Sequence, residues 1–190
     1  TFPKDVEKHV MINLKDANGD DRPTDTYLEQ INDTVIRGYR YSTGWSKKQQ
    51  IYFSAVFSQP VHLTLYHDSV QVAGNRLQGL DVKGNVAVAP VVEELGVKVG
   101  ISPVSMENAM DNIGQEIKDW NFENIVAETT GKWNAELSKL QVETTDTVAK
   151  RIFYTALYHA FMQPIMFNDC SGEYRGTDKN IYGDPGFTNY

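Results

Sequence analysis

A change in the spacing of apolar residues at Ser102-Pro103 constrains the fold of this chain more than any other feature. Before it, short segments alternate apolar and polar residues, which is typical of β-strands. After it, apolar residues recur at helical spacing: Val104, Ala109, Met110, Ile113 and Ile117. Ser102 is a suitable N-cap and Pro103 suits the first helical position. We therefore predict a β-rich region up to residue 101 and helices from residue 102 onward.

The first hundred residues contain several segments with strand-type sequences. They cover residues 9–14, 31–41, 50–57, 61–67, 69–72, 86–89 and 97–101. Short strands at this spacing, separated by turns that contain glycine, are typical of a β-sandwich. We therefore expect a β-sandwich, or part of one, in this region.

Beyond residue 102 the sequence predicts three helices and a final loop. The second helix is expected to begin near Asn121, and the third to run from about residue 145 to residue 163, where Pro164 ends it. Residues 167–190 are rich in glycine, aspartate and asparagine and are expected to form a loop.

Composition excludes several classes of protein. The 190 residues carry a net charge of −7 and are 41% hydrophobic, so the chain can bury a core and has no excess of basic residues for binding phosphates. Nucleic acid is therefore not an expected partner. The longest apolar stretch, residues 86–92, is too short to span a membrane. A single cysteine, Cys170, excludes an intrachain disulfide.

Most residues that could carry chemistry have an equally good structural explanation. The run Asp16-Ala17-Asn18-Gly19-Asp20 has calcium-loop spacing, but Asp21 stands where glycine is needed and Tyr27 where glutamate is needed. No two of the four histidines have the spacing of metal ligands on one helix face, His62 and His67 would face opposite sides of one strand, and no histidine lies near Cys170 in the sequence. A solvated turn, a core histidine at residue 159 and an unreactive thiol are expected instead.

Aromatic and acidic residues leave two possibilities open. Trp45, Tyr39 and Tyr41 offer flat surfaces for a sugar ring, but the same rings could pack in a core. Acidic residues gather in the final loop, interleaved with glycine and tyrosine: Asp169, Glu173, Asp178 and Asp184. Such a loop suits a hydroxyl-rich ligand or a divalent ion, and it is also an ordinary acidic surface.

Several segments, taken in order, resemble glycoside hydrolase family 92. One of them is Asp169-Cys170-Ser171-Gly172-Glu173-Tyr174-Arg175-Gly176. The others are residues 38–45, 52–58, 97–109, 120–122, 133–137 and 153–159. The resemblance extends over nearly the whole chain, and several motifs in the same order are more specific than any one of them.

The resemblance implies an α+β fold made of three parts of a longer enzyme. Residues 1–101 would be a portion of an N-terminal β-sandwich, residues 102–143 linking helices, and residues 144–190 the beginning of an (α/α)6 barrel. Members of the family are calcium-dependent exo-acting α-mannosidases that invert the anomeric centre. They are commonly periplasmic or secreted in bacteria, and we expect the same location here.

The resemblance also implies a function. The chain would be a fragment of an enzyme that removes terminal α-linked mannose, with α-1,2 linkages expected, and it would be inactive alone. The catalytic acid and base and the calcium ligands would lie in the rest of the parent chain, so no catalytic or metal-binding residue is assigned here. Mannose-containing glycans and that remainder are the expected partners.

Within the chain, four residues of the final loop are predicted to bind substrate: Asp169, Gly172, Tyr174 and Asp178. The alternative function is a non-catalytic β-sandwich module that binds carbohydrate through Trp45 and the neighbouring tyrosines. A purely structural domain is a third possibility, in which these aromatic residues would all be buried.

Overall fold

The alternating segments of the first hundred residues form two antiparallel sheets. The structure, a computed structural model, describes residues 6–17, 19–44, 46–163 and 165–183. Four residues that were singled out in the sequence lie outside these ranges: Asn18, Trp45, Pro164 and Asp184. The strands of this region are β1 (Lys8–Asn13), β2 (Arg22–Asn32), β3 (Val35–Thr43), β4 (Gln49–Phe57), β5 (Val61–His67), β6 (Val70–Val72), β7 (Arg76–Gly79), β8 (Val82–Val88) and β9 (Val97–Ser102).

The two sheets form a β-sandwich, as the sequence predicts. One has the strand order β1-β8-β5-β6 and the other β7-β2-β3-β4-β9. Side chains that are fully buried come from both sheets, including Leu28 and Ile36 from one and Leu65, Val82 and Val86 from the other. Burial of these apolar side chains is the main stabilising contribution to this region.

The predicted strand over residues 31–41 is wrong, because the chain reverses within it. Strands β2 and β3 form a hairpin whose turn contains Asp33 and Thr34. The side-chain oxygen of Asn32 accepts hydrogen bonds from the Thr34 N–H (2.9 Å) and the Thr34 hydroxyl (3.2 Å), which stabilises the turn. The alternation of residue types continues through the turn, so periodicity alone did not reveal it.

The first helix begins later than its predicted N-cap. Helix α1 spans Met106–Glu116 and is capped by Ser105, whose hydroxyl accepts the N–H of Asn108 at 3.0 Å. Ser102 is instead the last residue of β9, and its hydroxyl accepts the N–H groups of Val104 and Ser105. Ser102 therefore stabilises the turn that leads into the helix.

Helices α2 and α3 form a separate compact unit over residues 119–167. Helix α2 spans Phe122–Leu137 with Asn121 as its N-cap, as predicted, and α3 spans Thr147–Phe161 with Asp146 as its N-cap. The rings of Trp133 and Tyr158, one from each helix, lie 4.5 Å apart. Over the described ranges, no helix combines the length and the apolar character needed to cross a bilayer.

The final loop contains a short β-hairpin that the sequence analysis missed. Strand β10 (Glu173–Arg175) pairs antiparallel with β11 (Ile181–Gly183). The described residues of Asn168–Tyr190 belong to the same compact unit as those of Thr1–Lys118. The predicted boundaries at residues 101/102 and 143/144 concern the domains of a longer protein and stay predictions.

Helix α1 packs directly on the five-stranded sheet because Gly100 of β9 has no side chain. A Cβ atom at Gly100 would lie 2.0 Å from the carbonyl oxygen of Ala109 and 2.8 Å from a side-chain carbon of Ile113. Ala109 and Ile113 are both buried. The glycine therefore permits the close contact between the five-stranded sheet and helix α1.

A matched pair of glycine substitutions tests this contact. We expect Gly100→Ala to lower the free energy of unfolding by about 1–3 kcal/mol, because the added methyl group overlaps the backbone of α1. Gly114→Ala, in α1 with open space around it, is expected to raise it by about 0.5–1 kcal/mol through helix propensity. Urea unfolding followed by circular dichroism measures both. Equal effects of the two substitutions would contradict the packing described.

Candidate functional site

The predicted acidic site has a buried carboxylate at its centre. Asp169 is only 3% exposed and lies where the end of β9, helix α1 and the β10–β11 hairpin meet. Its Oδ2 atom accepts hydrogen bonds from the Ser102 hydroxyl (2.6 Å) and the Asn108 amide (3.0 Å), and its Oδ1 atom accepts one from the Asn112 amide (2.9 Å). We call Ser102, Asn108, Asn112 and Asp169 the Asp169 cluster.

The two asparagines of this cluster come from successive turns of α1. Asn108 and Asn112 are four residues apart and therefore lie on the same face of the helix. Asn112 also donates to the carbonyl oxygen of Ile101 (3.0 Å), and its side-chain oxygen accepts the N–H of Cys170 (2.9 Å). Neither asparagine was predicted from the sequence to belong to the site. Their i, i+4 spacing beside the apolar Ala109 and Ile113 could have indicated two amides at the edge of the buried face of the helix.

Asn108 also joins a second carboxylate to the cluster. Its amide group donates to Glu173 Oε2 at 2.8 Å, while its side-chain oxygen accepts the hydroxyl of Ser105 at 2.8 Å. Ser105 is the N-cap of α1, so the cap and the two carboxylates fix the orientation of one amide. This chain of hydrogen bonds ties the start of the helix to the start of β10.

A tight turn brings Asp169 and Glu173 together. The Gly172 N–H donates to the carbonyl oxygen of Asp169, and the Asp169 N–H donates to the carbonyl oxygen of Glu173, both at 2.8 Å. Gly172 has a φ of 84° and is buried. A residue with a side chain is strained at this φ, so glycine favours the turn.

Arg175 fastens the far end of β10 to the segment before α1. Its guanidinium group donates to the carbonyl oxygens of Pro103 (2.7 Å), Val104 (3.0 Å) and Lys179 (3.0 Å). It also lies 5.9 Å from the centre of the Tyr52 ring. Polar contacts with β9, α1 and the segment between them thus hold the hairpin both before β10 and at its far end.

The exposed side of the hairpin carries a pair of stacked tyrosines. The rings of Tyr174 and Tyr182 are 5.7 Å apart, and both residues remain exposed. The Tyr182 hydroxyl donates to Asp178 at 2.6 Å, and this hydrogen bond holds the pKa of Asp178 below its usual value. Of the four predicted substrate residues, Asp169 and Gly172 are thus buried, whereas Tyr174 and Asp178 can contact a ligand. The substrate-binding assignment stays a prediction.

Cys170 is placed as an unreactive thiol. Its Sγ atom donates to Glu116 at 3.3 Å, and burial together with that carboxylate raises the pKa of the thiol to about 11. A nucleophilic cysteine needs a lowered pKa. The environment therefore favours a protonated thiol at neutral pH.

The tyrosines predicted as a sugar surface are stacked on one another. The Tyr39 ring stacks on the rings of Tyr27 (centroids 5.5 Å apart) and Tyr41 (4.4 Å apart), and the Tyr41 hydroxyl is 2.6 Å from that of Tyr52. Burial, with the hydrogen bond to Asp25, raises the pKa of Tyr39 to about 12. These contacts among the tyrosines reduce the ring surface that a sugar could contact. Trp45, the third predicted aromatic residue, lies outside the described residues.

The sequence and the structure both match one family of hydrolases. A family profile described as Glycosyl hydrolase family 92 N-terminal domain matches residues 1–102, and one described as Glycosyl hydrolase family 92 catalytic domain matches residues 108–190. No protein with a curated description matches the chain.

The similar solved structures are enzymes of this family. A family GH92 alpha-mannosidase from Bacteroides thetaiotaomicron is 30% identical with a TM-score of 0.91, and the match covers 100% of this chain and 26% of that one. The same enzyme is also known in complex with mannoimidazole. A family GH92 inverting mannosidase from the same species is 20% identical with a TM-score of 0.81, over 96% of this chain and 25% of that one.

Removing the central carboxylate tests the geometry of the Asp169 cluster. Asp169→Ala removes the acceptor that the side chains of Ser102, Asn108 and Asn112 share, and we expect a loss of about 3 kcal/mol in the free energy of unfolding. Asp178→Ala removes an exposed carboxylate and is expected to lose less than about 1 kcal/mol. Chemical unfolding of both variants measures the difference. Similar losses would show that the buried carboxylate does not hold the cluster together.

Proposed function

Because the chain belongs to glycosyl hydrolase family 92, we propose that it forms the β-sandwich portion and the first helices of an exo-acting α-mannosidase. The substrate class is glycans with terminal α-linked mannose, and α-1,2 linkages are the proposed preference. The observation that carries the proposal is the match of both family profiles together with the 30% identity to a mannosidase over 100% of this chain. The mannoimidazole complex of that enzyme supports a mannose-like ligand.

The proposed reaction proceeds with inversion of the anomeric centre. Such a reaction needs one carboxylic acid to protonate the leaving oxygen and one carboxylate to activate water on the opposite face, roughly 6.5–9.5 Å apart. This chain spans 26% of the length of the mannosidase it matches. We assign neither catalytic group to a residue of this chain. In the proposal, both belong to the remainder of a longer protein.

Calcium is part of the proposal for the family but does not fit the residues described here. Among the described residues, no group of three or more His, Cys, Asp or Glu side chains could hold a metal ion. The buried carboxylate of Asp169 already accepts hydrogen bonds from three neutral protein groups. We therefore derive no catalytic step through calcium.

The β10–β11 hairpin is the part of this chain that we propose to lie beside the substrate. Tyr174 and Asp178 are exposed on it and suit the apolar face and the hydroxyl groups of a sugar, respectively. Asp169 and Gly172 are buried and contribute indirectly, because they form the turn that leads into the hairpin. The four predicted residues thus divide into two that can touch a sugar and two that support them.

The second compact unit supports the proposal that more helices pack on it. Phe122 of α2 is 70% exposed, and Val148 and Ile152 of α3 are 65% and 64% exposed. Val148 and Ile152 are four residues apart and are therefore neighbours on α3, and exposed apolar side chains that adjoin on a helix often mark a surface that another element covers. We propose that the remaining helices of an (α/α)6 barrel cover it.

A carbohydrate-binding module without catalysis is the second candidate function. The stacking of Tyr39 on Tyr27 and Tyr41 counts against it, since aromatic sugar platforms need an exposed ring face and these contacts cover part of the ring surface. The proposed location, the periplasm of a bacterium or its surroundings, is the same for both candidates. A leader sequence encoded upstream would support it.

Assays of the chain alone and of a longer protein that contains it separate the two candidates. We expect a longer protein with the complete catalytic domain to release mannose from α-1,2-mannobiose, with β-mannose as the first product in proton NMR spectra. The 190-residue chain is expected to release none. Release of α-mannose as the first product would contradict inversion. Saturable binding of mannobiose by the chain alone, abolished in Trp45→Ala, would favour the binding module.

A further inference from the structure

The Asn112 side chain of the Asp169 cluster forms hydrogen bonds with residues outside its own helix. Asn112 is 8% exposed and uses both ends of its amide group. The NH₂ group donates to Asp169 Oδ1 (2.9 Å) and to the carbonyl oxygen of Ile101 (3.0 Å), and the oxygen accepts the N–H of Cys170 (2.9 Å). A single amide therefore joins β9, α1 and the segment that leads into β10.

The chemistry of these three contacts suits asparagine and none of the closest substitutes. Aspartate has no N–H to donate and would place a second negative charge against Asp169. Glutamine has the same groups on a longer side chain, which does not fit a buried space of this size without displacing its neighbours. Alanine would leave one buried carboxylate oxygen without its donor and one buried N–H without its acceptor.

We propose that Asn112 is a positioning residue that sets the place and orientation of the β10–β11 hairpin against the sandwich. Its two contacts with residues 169 and 170 hold the tight turn that precedes β10. Cys170 is two residues before Gly172 and four before Tyr174. Asn112 therefore determines where Tyr174 is presented. That Tyr174 then faces a sugar rests on the function proposed above.

The chain contains its own reporter of this position. Cys170 is the single cysteine, and its backbone N–H is one of the groups that Asn112 holds. Its partly buried thiol has a pKa raised to about 11. If the segment detaches, the thiol loses its contact with Glu116 and gains solvent, so its pKa falls and it reacts faster with a disulfide reagent.

The first experiment measures the reaction of Cys170 with dithiobis(nitrobenzoic acid) in the 190-residue chain at pH 8. Asn112→Ala is expected to raise the rate at least about tenfold over the unmodified chain, because a larger fraction of the thiol is exposed and ionised. Gln115→Ala removes an amide from the exposed side of the same helix and is expected to change the rate less than about twofold. Circular dichroism confirms that each variant is folded.

A second variant keeps the test decisive if Asn112→Ala does not fold. Exchanging the two groups, Asn112→Asp with Asp169→Asn, preserves net charge and restores a donor and an acceptor between residues 112 and 169, as well as an acceptor for Cys170. Only the donor to the carbonyl oxygen of Ile101 is lost. We expect the exchange to slow the reaction of Cys170 to less than half the rate in Asp169→Asn alone. A folded Asn112→Ala variant with an unchanged rate, or an exchange variant as reactive as Asp169→Asn, would overturn the proposal.

The functional step has its own readout. In a longer mannosidase that contains the chain, Asn112→Ala is expected to raise KM for mannobiose about tenfold and to change kcat less than about threefold, since positioning alters substrate contacts rather than the acid and base. An unchanged KM together with a fast-reacting Cys170 would show that Asn112 positions the segment at residues 169 and 170 but would overturn its link to substrate. Absence of any mannosidase activity in the unmodified protein would instead overturn the proposed function.

Discussion

The buried carboxylate of Asp169 is the constraint on which the first compact unit depends, the unit formed by the described residues of 1–118 and 168–190. Removing a carboxylate from water is costly unless hydrogen bonds replace the solvent. Here the replacements are three neutral donors, from Ser102, Asn108 and Asn112. They come from the end of a strand and from two turns of a helix. The carboxylate is satisfied only when the sheet, the helix and the hairpin are all in place, so these elements stabilise one another cooperatively.

This constraint explains how a distant part of the sequence comes to belong to the sandwich. The chain leaves the first unit after residue 118, forms α2 and α3, and returns at residue 168. The hairpin that follows has only three residue pairs between its strands and would not be stable alone. Contacts of Asp169 and Arg175 with the segment from Ser102 to Val104 compensate for its small size. The hairpin can therefore present Tyr174 and Asp178 from a rigid base.

The sequence predicted what depends on local periodicity and missed what depends on single polar contacts. The β-sandwich and a second helix that begins near Asn121 followed from residue spacing, and both are confirmed. The β2–β3 turn was missed because Asn32 forms it without glycine or proline. The predicted N-cap at Ser102 was wrong because Ser105, three residues later, is equally suited and Ser102 remains in β9. The candidate acids were found from composition, but their asparagine partners lie some 60 residues earlier.

Family membership and the local geometry each support one part of the proposed function. The family supplies the proposal of a mannosidase, and the contacts show why the Asp169 segment has a fixed structure rather than that of a solvated acidic loop. Hydrogen–deuterium exchange of the backbone amides tests this central claim most directly. The account predicts that the amides of Asp169, Cys170 and Gly172 exchange as slowly as those at the centre of β9. Exchange of these three amides at the rate of an unstructured peptide would contradict it.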